Sequence, residues 1–310
     1  MAFYHGSIMK SDTSIKRSPF FYVGDKFKLI KEIKQYFPEK IDSFAEPFLG
    51  GGSVFLNVDA KKHFVNDIDI NVINLHKYLA NSSKKEKEFF GKIKKIVQRY
   101  NLSRSFFEDV VPLSLRKTWL KTYYAHFNRD GYNKMKSEYN KVKKDTLILY
   151  LLLIYGFNRM LRFNKKGEFN IPVGNVDFNR NVVNALHDYF EAMKSKDVVF
   201  SSKDFKKFIL DLKLNKNDFV YVDPPYLISA SEYNKLWNED LDRELMSTLD
   251  MLDKKDIRFA LSNVTAYNGK KNEKLISWMS KYKVHPIKSN YISYHNNKKK
   301  QINEVLITNY

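Results

Sequence analysis

The chain has 310 residues, with 54 Lys and Arg against 35 Asp and Glu, a net charge of +19 and no cysteine. That composition excludes a disulfide framework, a thiolate metal site and a cysteine nucleophile, and the length suits one large domain or one domain carrying an insertion. The positive balance favours a polyanionic partner, with nucleic acid first, although lysine-rich solvated faces produce the same sum.

Residues 1–10 lack the long apolar stretch of a secretory signal, and the longest apolar run, residues 147–154, is too short to cross a bilayer. A cytoplasmic, membrane-free, monomeric protein is expected. Residues 28–36 have helical spacing, with Leu29, Ile30, Ile33 and Phe37 on one face. Residues 41–48 read as a strand that breaks at Gly50, Gly51 and Gly52, and a helix is expected to begin over residues 53–58. A second strand, residues 63–65, runs into Asn66-Asp67-Ile68-Asp69. Asp67 lies 17 positions past Gly50, near the roughly 20-residue spacing at which a carboxylate meets ribose hydroxyls. It equally suits a cap on the helix expected over residues 71–79.

Between residues 81 and 180 the strand and helix alternation gives way to lysine-rich, mainly helical segments, which marks an insert. From residue 101 to 180 Lys and Arg outnumber Asp and Glu by about two to one. Aromatic, amide and arginine side chains interleave there, at Tyr123, Tyr124, His126, Phe127, Asn128, Arg129, Tyr132 and Asn133 and again at Phe157, Asn158 and Arg159. Arginine and asparagine can read base edges in pairs of hydrogen bonds, while several of the aromatics are core. Residues 162–172 look like a hairpin around Asn164-Lys165-Lys166-Gly167, which is a loop able to enter a groove or an ordinary solvated turn.

Strands over residues 198–201 and 219–222 follow, the second ending at Asp223-Pro224-Pro225-Tyr226. Open α/β sheets bind ligands just outside the carboxyl ends of their strands. Here Asp223 is an acceptor, Pro224 offers a carbonyl, Pro225 stiffens the turn and Tyr226 presents a flat face, a set able to hold a planar amino group. Tyr233 and Trp237 suggest a flap. Leu241, Leu245, Leu249 and Leu252 mark a helix, followed by a strand over residues 258–261 that leads to Ser262-Asn263. A helix over residues 275–279 and strands over residues 287–293 and 304–308 complete a sheet of about seven strands. Between the last two, residues 296–300 form a cationic loop that suits phosphate contact, edge protection or solubility equally.

In its glycine motif, insert and Asp-Pro-Pro-Tyr, taken in that order, the chain resembles the Dam-like, D12-class adenine-N6 DNA methyltransferases. The matching stretches are Phe44-Ala45-Glu46-Pro47-Phe48-Leu49-Gly50-Gly51-Gly52-Ser53-Val54-Phe55, Asn66-Asp67-Ile68-Asp69, Arg162-Phe163-Asn164-Lys165-Lys166-Gly167-Glu168-Phe169-Asn170-Ile171-Pro172, Phe219 through Tyr226, and Glu304-Val305-Leu306-Ile307-Thr308-Asn309. The resemblance implies an α/β, Rossmann-like methyltransferase fold with a mixed seven-stranded sheet. It places a discontinuous catalytic domain over residues 1–80 and 181–310, and a mainly helical target-recognition domain with a β-hairpin over residues 81–180.

It further implies methyl transfer from S-adenosylmethionine to the N6 amino group of an adenine flipped out of double-stranded DNA, without a metal. Tyr22, Lys26, Phe48, Gly50, Gly51, Gly52, Asp67, Ile68, Asp204, Phe205 and Asp223 would surround the cofactor, although Phe205 taken alone reads as core. Asp223, Pro224, Pro225 and Tyr226 would act on the target base, and Arg129, Arg159, Arg162, Phe163, Asn164, Lys165 and Lys166 would meet DNA. Relatives carry an aromatic, a small residue and Gly-Gly-Lys where this chain has Tyr22-Val23-Gly24-Asp25-Lys26, which leaves the partner of Lys26 open. A cytosine-N4 enzyme generally has serine in place of Asp223. An RNA adenine enzyme and an inactive DNA-binding relative remain as alternatives, and a companion restriction endonuclease is the expected functional partner.

Overall fold

Apolar runs that end at glycine, proline or a carboxylate build the sheet. The computed structural model describes residues 15–22, 24–142, 145–228, 237–288 and 302–310. A short helix α1 (Ile30–Ile33), extended by one 3-10 turn, precedes β1 (Ser43–Glu46), and β2 (Lys62–Asn66) follows the glycine turn. The helix expected over residues 53–58 is instead a 3-10 turn, Phe55–Asn57. Its amide at Phe55 is engaged by the Glu46 carboxyl, 3.1 Å away, and the segment turns extended at Val58.

Then come α2 (Ile70–Ser82), α3 (Glu86–Arg99), α4 (Leu113–Trp119), α5 (Tyr123–Val142), α6 (Thr146–Tyr155) and α7 (Arg180–Ser195). They are followed by β3 (Val198–Ser201), α8 (Phe205–Asp211), β4 (Phe219–Val222), α9 (Glu239–Asp253), β5 (Arg258–Tyr267), β6 (Lys270–Lys271), α10 (Glu273–Met279), β7 (Lys283–Ile287) and β8 (Ile302–Thr308). Short polar side chains start most of these helices: Asp69, Asp145, Asn179, Asp204, Asn238 and Asn272 each accept from a first-turn amide. That satisfies donors that the helix itself leaves unpaired.

The strand order is β3-β2-β1-β4-β5-β8-β7, with β6 pairing on β5. Seven strands form the continuous path, and the two-residue β6 makes the sheet eight-stranded. Order reverses between β1 and β4, which lie parallel, so a crevice opens at their carboxyl ends. β8 runs antiparallel to β5, with Glu304 opposite Val264, and thereby delivers its amino-terminal half to that same edge. Two expected boundaries change. β5 continues through Ser262 and Asn263 to Tyr267, and β7 ends at Ile287, where the strand was expected to start. Most of that expected strand, the cationic loop at residues 296–300 and Tyr233 lie outside the described residues.

One face of the sheet is covered by α2 and α7, the other by α8, α9 and α10, whose leucines at 245, 249 and 252 are buried. The helix α6 is apolar on every side and almost wholly buried, as a helix must be when it has no polar face. It packs into the same apolar cluster as α2 and α7, and the Tyr150 hydroxyl donates to the Pro19 carbonyl at 3.1 Å. Among the described residues no helix is long and apolar enough to cross a membrane.

The segment after α6 is a hairpin held by bridges rather than by full strands: Phe163 pairs with Phe169, and Gly156 with Val173. Its turn closes through Gly167 N–H donating to the Asn164 carbonyl at 2.8 Å, with Gly167 at φ +70°.

Candidate active site

β4 is buried along its whole length between β1 and β5, and Pro224 and Pro225 then deny the chain the amide donors needed to continue pairing. The first residue off the strand, Asp223, receives the Lys26 ammonium on Oδ2 at 2.7 Å, and Lys26 is only 3% exposed. The Tyr226 hydroxyl shares its proton between Asp223 Oδ1 at 3.0 Å and Glu304 Oε1 at 3.3 Å. The same ammonium sits 5.2 Å from the centre of the Tyr226 ring and 3.9 Å from Glu304. Lys26 therefore meets Asp223, Glu304 and Tyr226 together, and this supplies the partner that the variant amino-terminal motif left open.

A fourth group, Glu46 at the end of β1, is also buried. Burial pushes its carboxyl well above the ordinary range, and the negative charge of Asp223 adds to the effect. Glu46 consequently stays protonated where an exposed glutamate is ionised. Glu304 and Glu46 stand in this candidate cluster, although motif reasoning quoted them without assigning them. The available signal was a glutamate inside an otherwise apolar strand, in Glu304-Val305-Leu306-Ile307 and Phe44-Ala45-Glu46.

The glycine turn stands beside this cluster. Gly50 N–H donates to Asp67 Oδ2, and Asp69 N–H to Asp67 Oδ1, both at 2.9 Å. Asp69, rather than Asp67, caps α2. Burial raises Asp67 to about 6 against these two stabilising amides. On the other side, His76 Nε2 lies 2.9 Å from the Gly50 carbonyl and its Nδ1 lies 3.0 Å from the Tyr189 hydroxyl. Burial lowers His76 to about 4, so the ring is neutral. A carbonyl can only accept, which places the ring proton on Nε2. His76 was not foreseen, because a lone histidine in α2 gives no sign of the turn it will reach.

The protein's own packing requires glycine at two positions of this turn. A Cβ on Gly51 would stand 2.8 Å from Tyr22 Cβ, and one on Gly52 would stand 2.5 Å from Phe55 Cε1, with Gly52 already at φ +74°. The protein's own side chains press on the turn and fix its shape.

Tyr22, Gly50, Gly51 and Asp67 form one contacting set and Lys26, Asp223 and Tyr226 another, side by side at the carboxyl ends of β1, β2 and β4. At their border Ile68 is 68% exposed, an unusual condition for isoleucine. Phe48 lies 5.4 Å from Phe205 and 5.6 Å from Trp237 between ring centres, forming an aromatic wall. The Trp237 indole N–H donates to Asp242 Oδ1 at 3.2 Å. The Asp204 carboxylate accepts from Lys206 and Lys207 amides as the cap of α8.

Among the residues expected to meet DNA, Arg129 lies on the exposed face of α5. Arg162 donates through Nε to Asn170 Oδ1 at 2.9 Å, and Phe163 packs edge-on against Phe169. Asn164 holds the hairpin turn itself, accepting from the amides of Lys166 and Glu168 at 2.9 and 3.0 Å. Lys165 and Lys166 are exposed at the tip. Arg159 is half-buried, its guanidinium 4.0 Å over the ring of Phe21.

A family model described as D12 class N6 adenine-specific DNA methyltransferase matches residues 22–292. The chain is 36% identical to the type II methyltransferase M.FokI of Planomicrobium okeanokoites over 97% of this chain and 44% of that protein. It is 34% identical to the modification methylase StsI of Streptococcus sanguinis over 95% of this chain and 43% of that protein. A DNA adenine methylase of Haemophilus influenzae is 30% identical over 71% of this chain and 68% of its own length. The chain therefore spans less than half the length of the first two.

The buried Glu46 makes a prediction about pH. A carboxyl whose folded pKa is raised contributes stability below its unfolded pKa, and that contribution is lost as pH rises through the folded value. Urea midpoints of the wild type should fall relative to Glu46→Gln across the pH range above the ordinary carboxylate value. A constant difference across that range would show that Glu46 is ionised in the fold.

Proposed function

This chain belongs to the D12 class N6 adenine-specific DNA methyltransferases, and from that premise we propose that it methylates the N6 amino group of an adenine flipped from double-stranded DNA. The observation that carries the proposal is the Lys26–Asp223 ion pair beside the Tyr226 hydroxyl, at the switch point of the sheet and next to the glycine turn. S-adenosylmethionine, when bound, supplies an electrophilic sulfonium methyl.

The crevice fits such a group. Exposed Ile68 and the Phe48–Phe205 wall offer apolar surface for an adenine, and the Asp67 carboxylate stands at the strand end where ribose hydroxyls are commonly held. Asp67 already holds the Gly50 amide, so its role is double: it shapes the turn and keeps lone pairs for hydroxyl donors. Asp204 would act only by positioning Phe205, since its carboxylate is engaged as a helix cap.

The N6 lone pair of adenine is delocalised into the ring and is a poor nucleophile while the amino group is planar. Asp223 Oδ1 would accept one N6 hydrogen and the Pro224 carbonyl the other, redirecting the lone pair and stabilising the positive charge that develops on nitrogen. Lys26 holds the second carboxylate oxygen, so Asp223 is fixed before the base arrives. The face of Tyr226 would stack on the flipped base, and its hydroxyl bonds to Asp223 and Glu304 set the ring's plane. The methylated amine is strongly acidic and releases its proton to water. S-adenosylhomocysteine is the second product.

Residues 81–180 would read the target, with the hairpin tip at Lys165 and Lys166 against DNA and Phe163 beside the vacated base position. The modification-methylase names of the relatives support a protective role alongside a companion nuclease.

Asp223→Ala should abolish transfer of labelled methyl groups to duplex DNA while S-adenosylmethionine binding survives within a few-fold; transfer near the wild-type rate would contradict the role given to Asp223. An ionised carboxylate is the better acceptor for ribose hydroxyls. Cofactor affinity should therefore weaken as pH falls through about 6, the value to which burial raises Asp67. Calorimetric titrations of Asp67→Asn should lack that step, and an identical step in the variant would assign it to another group.

A further inference from the structure

Three non-glycine residues with left-handed backbone converge at one place: Phe21 at φ +49°, Asn158 at +52° and Arg159 at +49°. Such conformations are unfavourable for residues with a Cβ and persist only where surrounding structure enforces them. Their joint result is a pair of guanidinium groups on one ring. The Arg17 carbon stands 4.5 Å from the centre of Phe21 and 4.9 Å from that of Phe27, and the Arg159 carbon stands 4.0 Å from Phe21.

Both arginines are half-buried, and the Nε of each is shielded from solvent with no hydrogen-bond partner among the described residues. Two like charges held this close repel, and burial with the Arg17 charge brings Arg159 down to about 10. The carboxylate that the Arg17 charge reaches is Asp25, which burial pushes toward its neutral form and which also faces Lys26. The arrangement has an excess of positive charge and unused donor edges.

Its position is telling. Ser18, next to Arg17, donates its hydroxyl to the Gly51 carbonyl, and Tyr22, next to Phe21, packs on Gly50 and Gly51. Five residues past Phe21 is Lys26, the partner of Asp223. The arginine pair is therefore tied through its own chain neighbours to the crevice that receives the base.

We propose that Arg17 and Arg159 together bind one backbone phosphate of the DNA beside the target adenine, with Phe21 as the spacer that holds the two guanidiniums. This rests on the duplex-DNA substrate proposed above. Guanidinium forks match tetrahedral oxyanions, and guanidiniums stacked on Phe21 are pinned rather than free to probe a groove. Arg159 thus positions DNA instead of reading a base edge, in contrast to the expectation from its sequence context.

The test is salt-dependent duplex binding by Arg17→Gln, Arg159→Gln and the double variant, on an adenine-containing duplex and on a G·C-only duplex. Loss of one phosphate contact should make the log–log salt slope shallower by about 0.9 in each single variant. The double variant should lose no more than a single one, both duplexes should respond alike, and calorimetric affinity for S-adenosylmethionine should not move. Arg17→Lys and Arg159→Lys, which keep the charge, should retain most of the slope and control for misfolding.

Unchanged slopes in folded variants would overturn the proposal. A loss confined to one duplex would make the pair a base reader, and a loss of cofactor affinity without a change in slope would make it a cofactor-carboxylate site. Whether wild-type protein methylates adenine is measured separately, so failure of the substrate assignment is distinguishable from failure of the phosphate site.

Discussion

The ion pair between Lys26 and Asp223 is the contact on which the rest of the crevice depends. An ammonium with 3% exposure has lost nearly all its water, and only close counter-charges make that tolerable. Removing one partner of such a buried pair typically costs ~3–5 kcal/mol, because the other charge is left stranded. Lys26 therefore binds the amino-terminal segment to the end of β4. In doing so it holds the carboxylate of Asp223 in place.

The sheet's mixed direction completes the cluster. A parallel strand beyond β5 would bring only its carboxyl end to the switch point, whereas antiparallel β8 brings its beginning and so inserts Glu304 opposite Val264. Glu304 shares the Tyr226 proton with Asp223 and lies 3.9 Å from Lys26. With Glu46 protonated by burial, the site avoids one more repelling charge beside Asp223. The surroundings of the Asp223-Pro224-Pro225-Tyr226 turn are thus set by residues from the amino-terminal segment, β1 and β8, none adjacent to it in sequence.

What could be read without the structure follows from local physics. β4 agrees with the apolar run at residues 219–222, because a buried parallel strand is a continuous apolar run with sharp ends, and β3 agrees with the run at residues 198–201 although it lies half exposed at the sheet edge. The glycine turn, Asp67 and Asp223-Pro224-Pro225-Tyr226 were visible as strand-end motifs, and they do converge. The helix expected after Gly52 was wrong because the Glu46 carboxyl, distant in register, engages the Phe55 amide and the chain turns extended at Val58. Lys26's partner, His76's hold on Gly50 and the stacking of Arg159 on Phe21 are long-range contacts with no periodic signature. Residues 81–180 are mainly helical, as their sequence suggested, and α6 among them is buried in the same apolar cluster as α2 and α7.

The central claim is that Lys26 acts through Asp223, holding it for the base. Single-turnover methyl transfer by Lys26→Met, at saturating S-adenosylmethionine and duplex DNA, tests this most directly, with both binding constants measured in parallel. Loss of one preorganised charged contact should lower the rate by about 10²-fold or more while the two affinities change little. A wild-type rate in the folded variant, or a loss explained wholly by weaker binding, would contradict it.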